Sequence, residues 1–357
     1  MPTQKAAKAI SLTQVAGVAR KTILIGGIAL AVLVVGRFFL DSLVTYWVMT
    51  HPAPPPPPTH GFGILPKIAF PTSVGTPTSY TLQVVPEVMI PPSDRAPVFF
   101  MPAQRASLLS LDRAKQQANN LGFLLEPEQI TSSLYRWKRN QPLQSTLDYN
   151  INNGTFTQKL DWQSNPTFLQ QNNLPTEDVA INDIRSLLSS TGLMQPDIAT
   201  GAAKITYLKS TASGYTPTVS LSESDFLQVD IFRTPVGGRY NVVMDEPDHG
   251  AVRAIISGNS DPSLRYALID YKYLPVDYTS FETYPIITPQ QAFDLLKSGN
   301  GYTAQMPESQ TSVVIRNIQV GFYDSYAQQQ YLQPVYVLTG DGGYTGYVPA
   351  ITAVWQQ

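Results

Sequence analysis

The densest run of reactive side chains in this 357-residue sequence is Asp245-Glu246-Pro247-Asp248-His249-Gly250. Three carboxylates beside an imidazole have the chemistry to hold a hard cation, and Asp245 with Asp248 could act as the carboxylate pair of a glycoside hydrolase. The same run contains Pro247 and Gly250, which make it a turn between two strands, where acidic residues are ordinary. Ser257-Gly258-Asn259-Ser260-Asp261 offers two serines without a Gly-x-Ser-x-Gly or Ser-x-x-Lys pattern, and reads as a turn. Gly340-Asp341-Gly342-Gly343 is followed by Tyr344-Thr345-Gly346, which supplies no row of alternating oxygen ligands for calcium. The chain has no cysteine, hence no disulfide, thiolate metal site or cysteine nucleophile. The expectation is a protein with no catalytic residue, no metal and no cofactor, with Asp245, Asp248 and His249 as the one acidic candidate. His249 is expected to be the only histidine of the folded part.

Aromatic side chains are the second candidate. Among nineteen tyrosines, Tyr323, Tyr326, Tyr331, Tyr336 and Tyr344 crowd the C-terminal part and could form a binding face for protein or glycan. Tyrosine is also a favoured strand residue, and half-buried tyrosines need no ligand.

The elements that must position these groups begin with a membrane segment. Thr22 to Gly36 carries no charge, but fifteen residues rise only about 22 Å, short of a hydrocarbon core of about 30 Å. Phe38, Phe39, Leu40, Leu43, Val44 and Val48 extend the span if Arg37 and Asp41, four residues apart, pair or reach out of the lipid. Gly27 and Ala31 give a small-xxx-small spacing that permits close helix contact, so Gly27, Ala31, Arg37 and Asp41 are the candidate contacts to a partner within the membrane. Lys5, Lys8, Arg20 and Lys21 precede the span and no Lys or Arg follows between Thr50 and Lys67, which predicts an N-in, C-out single pass. A cleaved signal peptide is the competing reading; Arg37-Phe38-Phe39-Leu40 offers no small-x-small cleavage site.

Five of the 24 Lys and Arg and one of the 26 Asp and Glu lie in the first fifty residues, so the remainder carries −6 and excludes nucleic acid as an expected partner. Pro52-Ala53-Pro54 to Pro58 favours an extended polyproline stalk. Beyond Tyr80, helices are expected at Ser110 to Gly122, Thr176 to Gly192 and Thr288 to Gly299, each bracketed by start and stop residues and apolar on one side. Between them, alternating runs such as Leu147 to Ile151 and Phe156 to Trp162, joined through Asn153-Gly154 as a type I′ hairpin, imply antiparallel sheets. The fold class is α+β: one transmembrane helix, then helix-on-antiparallel-sheet modules in about three repeats. The expected organisation is a cytoplasmic tail at 1–21, the membrane helix at 22–49, the stalk at 50–79, a first α+β module at 80–175 and a second α+β region at 176–357.

The tract Pro54 to Pro58 with Gly61-Phe62-Gly63, Leu65-Pro66 and Phe70-Pro71 resembles the stalk of uncharacterised single-pass surface proteins of candidate-phylum (Patescibacteria) bacteria. Thr283-Tyr284-Pro285-Ile286, Ala292-Phe293, Leu295-Leu296, Gly299, Gly301, Val320-Gly321-Phe322-Tyr323 and Gln333-Pro334-Val335-Tyr336 are similar to the C-terminal pattern of PepSY-like and YycI-type extracytoplasmic regulators. Together these resemblances imply a helix-on-sheet module in the cell envelope that binds or restrains another protein and has no active site. The functional expectation is therefore a membrane-anchored extracytoplasmic interaction or regulatory module with an envelope protein partner. The alternatives are a glycan-binding or glycan-hydrolysing envelope protein and a subunit of an envelope secretion assembly.

Overall fold

A computed structural model describes residues 12–50, 57–89, 93–103, 107, 109–170, 173–212, 214–307 and 311–357. The chain divides into two compact units, 1–57 and 58–357. In the first, a single helix α1 (Leu12–Thr50) runs for 39 residues. Its segment Ala19–Trp47 is long and apolar enough to cross a membrane, a property that N-terminal signal sequences share. The 29 residues of that segment rise about 44 Å, so the turns after Gly36 supply the length that the fifteen-residue run lacks. The helix starts inside the expected cytoplasmic tail, since Leu12 to Lys21 already follow helical geometry. Arg37 and Asp41 are both exposed, and no ion pair joins them among the described residues. Ala31 is exposed and the space over Gly27 is open. The first eleven residues and Pro52 to Pro56 of the stalk lie outside the described residues.

The second unit begins with β1 (Ser79–Leu82), β2 (Arg95–Phe100), α2 (Ser110–Asn120) and the strands β3 (Glu128–Gln129), β4 (Leu134–Arg139), β5 (Ser145–Asn150) and β6 (Phe156–Leu160). It continues through α3 (Glu177–Ser190), the single turn α4 (Pro196–Ala199), β7 (Ala203–Thr211), β8 (Gly214–Thr218), β9 (Phe226–Ile231), β10 (Val242–Met244), β11 (Val252–Ser257) and β12 (Tyr266–Tyr271). The last elements are β13 (Asp277–Pro285), α5 (Pro289–Lys297), β14 (Tyr302–Gln305), β15 (Ser312–Asp324), β16 (Tyr331–Gly340) and β17 (Thr345–Pro349).

Nine strands form one antiparallel sheet in the order β3-β4-β5-β6-β12-β11-β9-β7-β8. A second sheet of eight strands runs β1-β15-β16-β17-β14, with β10 beside β15 and β2 joining β13 to β16. Here β1 and β10 lie parallel to β15, an arrangement not foreseen by the antiparallel expectation.

The three helices form where periodicity predicts, but Ser110 is the first residue of α2 and not its cap, and the side chain of Thr176 makes no cap bond. Thr288 and Gln291 make a reciprocal capping box on α5, with Gln291 N donating to Thr288 Oγ1 at 3.2 Å and Thr288 N to Gln291 Oε1 at 2.8 Å. Gly122, Gly192 and Gly299 follow their helices with φ of 84°, 72° and 82°, the left-handed turn that ends a helix at least cost when no Cβ is present. Ala114 and Ala118 of α2 and Ala180, Ile184 and Leu188 of α3 bury against one face of the nine-stranded sheet, with Trp137, Leu147, Val229, Val252 and Ile269. Ala292, Phe293 and Leu296 of α5 bury against the other sheet, with Val313, Ile315, Leu338 and Val348. Two helices thus share one sheet and the third has its own, so the expected threefold recurrence of helix-on-sheet modules is not found.

Four further expectations are corrected. The hairpin at Asn153-Gly154 is wider than a type I′ turn, because only Gly154 takes a positive φ (76°) where that turn needs two such residues. Asn150 and Asn153 instead brace the loop by accepting from the backbone of Asn152 and Thr155 at 3.0 and 3.1 Å. Residues from Thr59 onward belong to the body rather than to a stalk. Thr59 N donates to Thr283 Oγ1 at 3.1 Å, and Leu65 is fully buried among Val98, Tyr284, Tyr331 and Ile351. Leu65 N donates to Trp355 O, and Gln357 N to Leu65 O, both at 2.9 Å. His60 stacks on Trp355 with ring centroids 3.9 Å apart, so His249 is not the body's only histidine. Finally, the boundary expected at 175/176 does not separate two modules, because β3 to β6 are woven into one sheet with β7, β8, β9, β11 and β12.

Candidate functional site

The acidic turn follows β10 and is wired into both sheets. Tyr323 of β15 donates its hydroxyl to Asp245 Oδ1, and Tyr302 of β14 donates to the Asp245 carbonyl at 2.9 Å. Burial pushes the Asp245 carboxyl upward, against the hydrogen bond from Tyr323. Asp248 accepts from Lys204 Nζ of β7, and Glu246 lies 3.6 Å from Arg253 of β11. Asp245 is therefore engaged by the eight-stranded sheet and Asp248 by the nine-stranded one. Each carboxylate has its own partner, and the turn stitches the two sheets together. His249 is buried, with Nδ1 2.6 Å from the Gly250 carbonyl and Nε2 3.2 Å from Asp270 Oδ2. Both neighbours are acceptors, so both contacts become hydrogen bonds only when each ring nitrogen carries a proton. Tyr326 packs its ring edge against His249 at 5.2 Å, which brings together two residues that the sequence placed in separate candidate groups.

Beneath the turn lies a pattern that spacing along the chain did not reveal. On the sheet face opposite α2 and α3, directly paired positions run Glu128, Arg136, Asp148, Thr157, Asp270, Arg253, Asp230, Lys204, one from each of eight adjacent strands. Charges alternate along the row wherever charged residues meet, the arrangement that stabilises cross-strand pairs. Arg136 donates to both oxygens of Asp148 at 2.6 and 2.7 Å, and Arg253 Nε donates to Asp230 Oδ1 at 2.8 Å. The row is exposed at its ends and sealed at Asp230, which also accepts from Gly250 N at 3.0 Å and from Gln228 Nε2 at 2.7 Å. Gly250 is required there, since a Cβ would stand 2.4 Å from the Ile231 carbonyl oxygen. Asp270 is held down to about 2: burial pushes its carboxyl up, but hydrogen bonds from His249 and Thr157 and the charge of Lys272 outweigh it.

A second buried cluster joins the sheets at Arg233, just past β9. Its Nε donates to Asp324 Oδ2 at 2.7 Å, its Nη1 to Asp197 Oδ2 at 2.6 Å and its Nη2 to the Leu274 carbonyl. The guanidinium also lies 4.1 Å from the centroid of Tyr273. Burial pushes the Asp324 carboxyl upward and Arg233 opposes it. One cation serves two carboxylates, and Asp197 Oδ1 and Asp324 Oδ1 are buried without a hydrogen-bond partner.

Asp197 opens onto a cleft of about 610 Å³ where the sheets meet. Pro97 and Phe99 of β2 and Tyr278 and Phe281 of β13 form one wall, and Pro196, Thr200, Pro235 and Tyr240 line the rest. The walls are set by packing: Phe99 lies 5.5 Å from Tyr278, 5.8 Å from Phe281 and 5.6 Å from Phe322. Phe281 remains 51% exposed and presents its ring to the open side of the cleft. Tyr278 donates to Asp197 Oδ2 at 3.0 Å and Thr200 bonds Thr234 at 2.7 Å, so the polar groups at the cleft are paired, and Asp197 Oδ1 is sealed from solvent behind a largely apolar wall.

The expected tyrosine face does not form. Tyr323, Tyr336 and Tyr344 are at most 1% exposed and Tyr331 is 8% exposed, while Tyr326 is partly buried over His249. Residues 320–324 of β15 and 331–338 of β16 are covered on both faces, which buries Tyr323, Tyr331 and Tyr336. Tyr336 donates to the Ile287 carbonyl at 2.6 Å, Tyr344 packs on Tyr80 and Tyr331 on Phe62. Sequence reading missed Arg233, Asp197, Asp324 and the cleft. Pro196 followed by Asp197, and Arg233 at the end of an apolar strand, were the visible traces. Among the described residues no group of three or more His, Asp or Glu is placed to hold a metal ion.

Comparison with protein-family models and with curated proteins finds no match. Among solved structures, an uncharacterized protein from Eubacterium rectale ATCC 33656 is similar over 76% of this chain and 86% of its own, with 10% identity and a TM-score of 0.40.

Proposed function

We propose that this chain is a membrane-tethered interaction module of the cell envelope, N-in and C-out, whose body holds an extended apolar segment of a partner protein in the cleft beside Asp197. The observation that carries this is the exposed aromatic and proline wall of the cleft, with the partly exposed Asp197 carboxylate set among it. Rings and prolines recognise extended, prolyl or aliphatic peptide with little ordering cost, and a cleft of this size falls within the range of about 300–1,000 Å³ used for specific ligands. The cluster of Asp197, Asp324 and Arg233 carries one formal negative charge in excess, so the fitting segment presents a Lys or Arg among its apolar residues. This occupant agrees with the binding role implied by the PepSY-like resemblance of the C-terminal part.

The test places a photo-crosslinking amino acid at position 281 of the full-length chain in its native membrane, with a control at Leu125, an exposed residue outside the cleft. A single envelope protein crosslinked at 281 through an apolar segment bearing Lys or Arg, and lost when Thr200→Trp fills the cleft, is the expected result. Equal labelling from both positions, labelling insensitive to Thr200→Trp, or a crosslinked segment that is acidic would overturn the proposal.

A further inference from the structure

A second cavity, of about 280 Å³, opens on the helix-covered side of the nine-stranded sheet and shares no lining residue with the cleft. It forms where the first turn of α2 meets the β5–β6 hairpin, the link between α3 and α4, and the end of β12. Arg113, Tyr149, Asn152 and Gln195 converge there from three of these four elements. None of their side chains has a hydrogen-bonding or ion-pair partner among the described residues. Tyr149 is 7% exposed: its ring is buried, and its hydroxyl, 3.6 Å from the side-chain position of Gly154, opens to solvent in the cavity. Four side chains with unused hydrogen-bonding capacity thus face one opening, where a ligand can take the place of water.

The ring beneath that hydroxyl is fixed. Tyr149 stacks on Phe156 at 5.8 Å, and Phe156 on Tyr271 at 5.3 Å. Tyr271 in turn donates to the Leu193 carbonyl at 3.0 Å. The floor is therefore rigid before any ligand arrives, which lowers the ordering cost of binding. At the rim, Gly154 turns with φ of 76° and leaves its side-chain position vacant 3.6 Å from the Tyr149 hydroxyl, so the hairpin does not close the opening.

The four groups select by chemistry. Arg113 brings a fork of donors suited to a carboxylate, while the two amides each pair a donor with an acceptor, as neighbouring hydroxyls on a sugar ring require. The volume lies just below the range for drug-sized ligands and admits one ring rather than a polymer segment lying along it. We infer that this cavity is a binding site for a single carboxylated sugar residue, with Arg113 holding the carboxylate and Asn152, Gln195 and the Tyr149 hydroxyl reading the ring hydroxyls.

The full-length chain in detergent micelles, titrated with glucuronate, glucose and succinate by calorimetry, tests this. The expected result is binding of glucuronate at least tenfold tighter than either glucose or succinate. Arg113→Ala removes that preference, while Tyr149→Phe, which deletes one oxygen and leaves the stacked ring, weakens glucuronate about fivefold. Succinate binding as well as glucuronate would make the site a plain anion hole, glucose binding as well would remove the role of Arg113, and no binding of glucuronate at millimolar concentration would refute the site. Because Arg113 is exposed and makes no hydrogen bond or ion pair to either sheet-joining cluster, its variant separates loss of the site from loss of the fold.

Discussion

Replacing Arg233 by Met should cost the body more than any other single charge deletion. The guanidinium is about 1% exposed and is the shared partner of Asp324, itself fully buried, and of Asp197. Removing one member of a buried ion pair typically costs about 3–5 kcal/mol, because the charge left behind has neither water nor partner. Here Asp324 and the Leu274 carbonyl lose their donor and Asp197 keeps only Tyr278, which places the loss at the upper end, about 4–5 kcal/mol. For a unit of this size the unfolding entropy is on the order of 0.6 kcal/mol per degree, so the melting midpoint should fall by about 7 °C. Arg233→Lys should recover little of this, since an ammonium cannot present three donors in the planar directions now used by Nε, Nη1 and Nη2. The triple variant Arg233→Met, Asp197→Asn, Asp324→Asn should regain most of it, because no charge is then stranded. Calorimetry of the four proteins checks the set. If Arg233→Met melted within 2 °C of the parent, or if Arg233→Lys were fully stable, the cluster would not be the joint between the sheets and the excess negative charge at the cleft would lose its basis.

The Asp270 carboxyl, lowered from its ordinary 3.8 to about 2, stabilises the fold above about pH 4, and this contribution disappears as pH falls through about 2. The shift corresponds to about 2 kcal/mol, so Asp270→Asn should lower neutral-pH stability by about that much and flatten the acid limb of stability between pH 4 and 2 in a urea titration series. An acid limb unchanged in the variant would mean that Asp270 is not held by His249, Thr157 and Lys272. Leu65→Ala should cost about 3 kcal/mol and lower the melting midpoint by about 5 °C, since a fully buried leucine is truncated. An unaltered midpoint would return residues 59–79 to the role of a free linker.

Local patterns carried far along this chain and then stopped. The helix at Thr288 to Gly299 was legible because its capping box lies within four residues, and the strands from Leu147 onward were legible because apolar side chains alternate. The limits of the stalk were misjudged: prolines and glycines at 61, 63, 66 and 71 resemble a spacer, yet Phe62, Leu65, Ile68 and Phe70 between them bury against the body. Local composition cannot distinguish a spacer from an extended segment that happens to have a surface waiting for it. The row from Glu128 to Lys204 shows the same limit from another side. Arg136 sits between Tyr135 and Trp137 as any outward-facing strand residue would, and only the strand order, which brings Asp270 beside Thr157 across 113 positions, makes the row visible. The cleft draws its walls from four distant segments, and Tyr323 and Tyr336 are buried because 320–324 of β15 and 331–338 of β16 are covered on both faces.

The contacts of Thr59 with Thr283 and of Leu65 with residues 355–357 have a mechanical meaning. The Leu65 and Gln356 segments run parallel, and their hydrogen bonds lie across the chain direction. Tension applied to the backbone at Thr59 would strain these bonds together instead of peeling them singly, and it would reach β13, which carries Tyr278 and Phe281, before it reached either helix-covered core. The aromatic wall of the cleft is thus the first part of the body to sense a load arriving from that end.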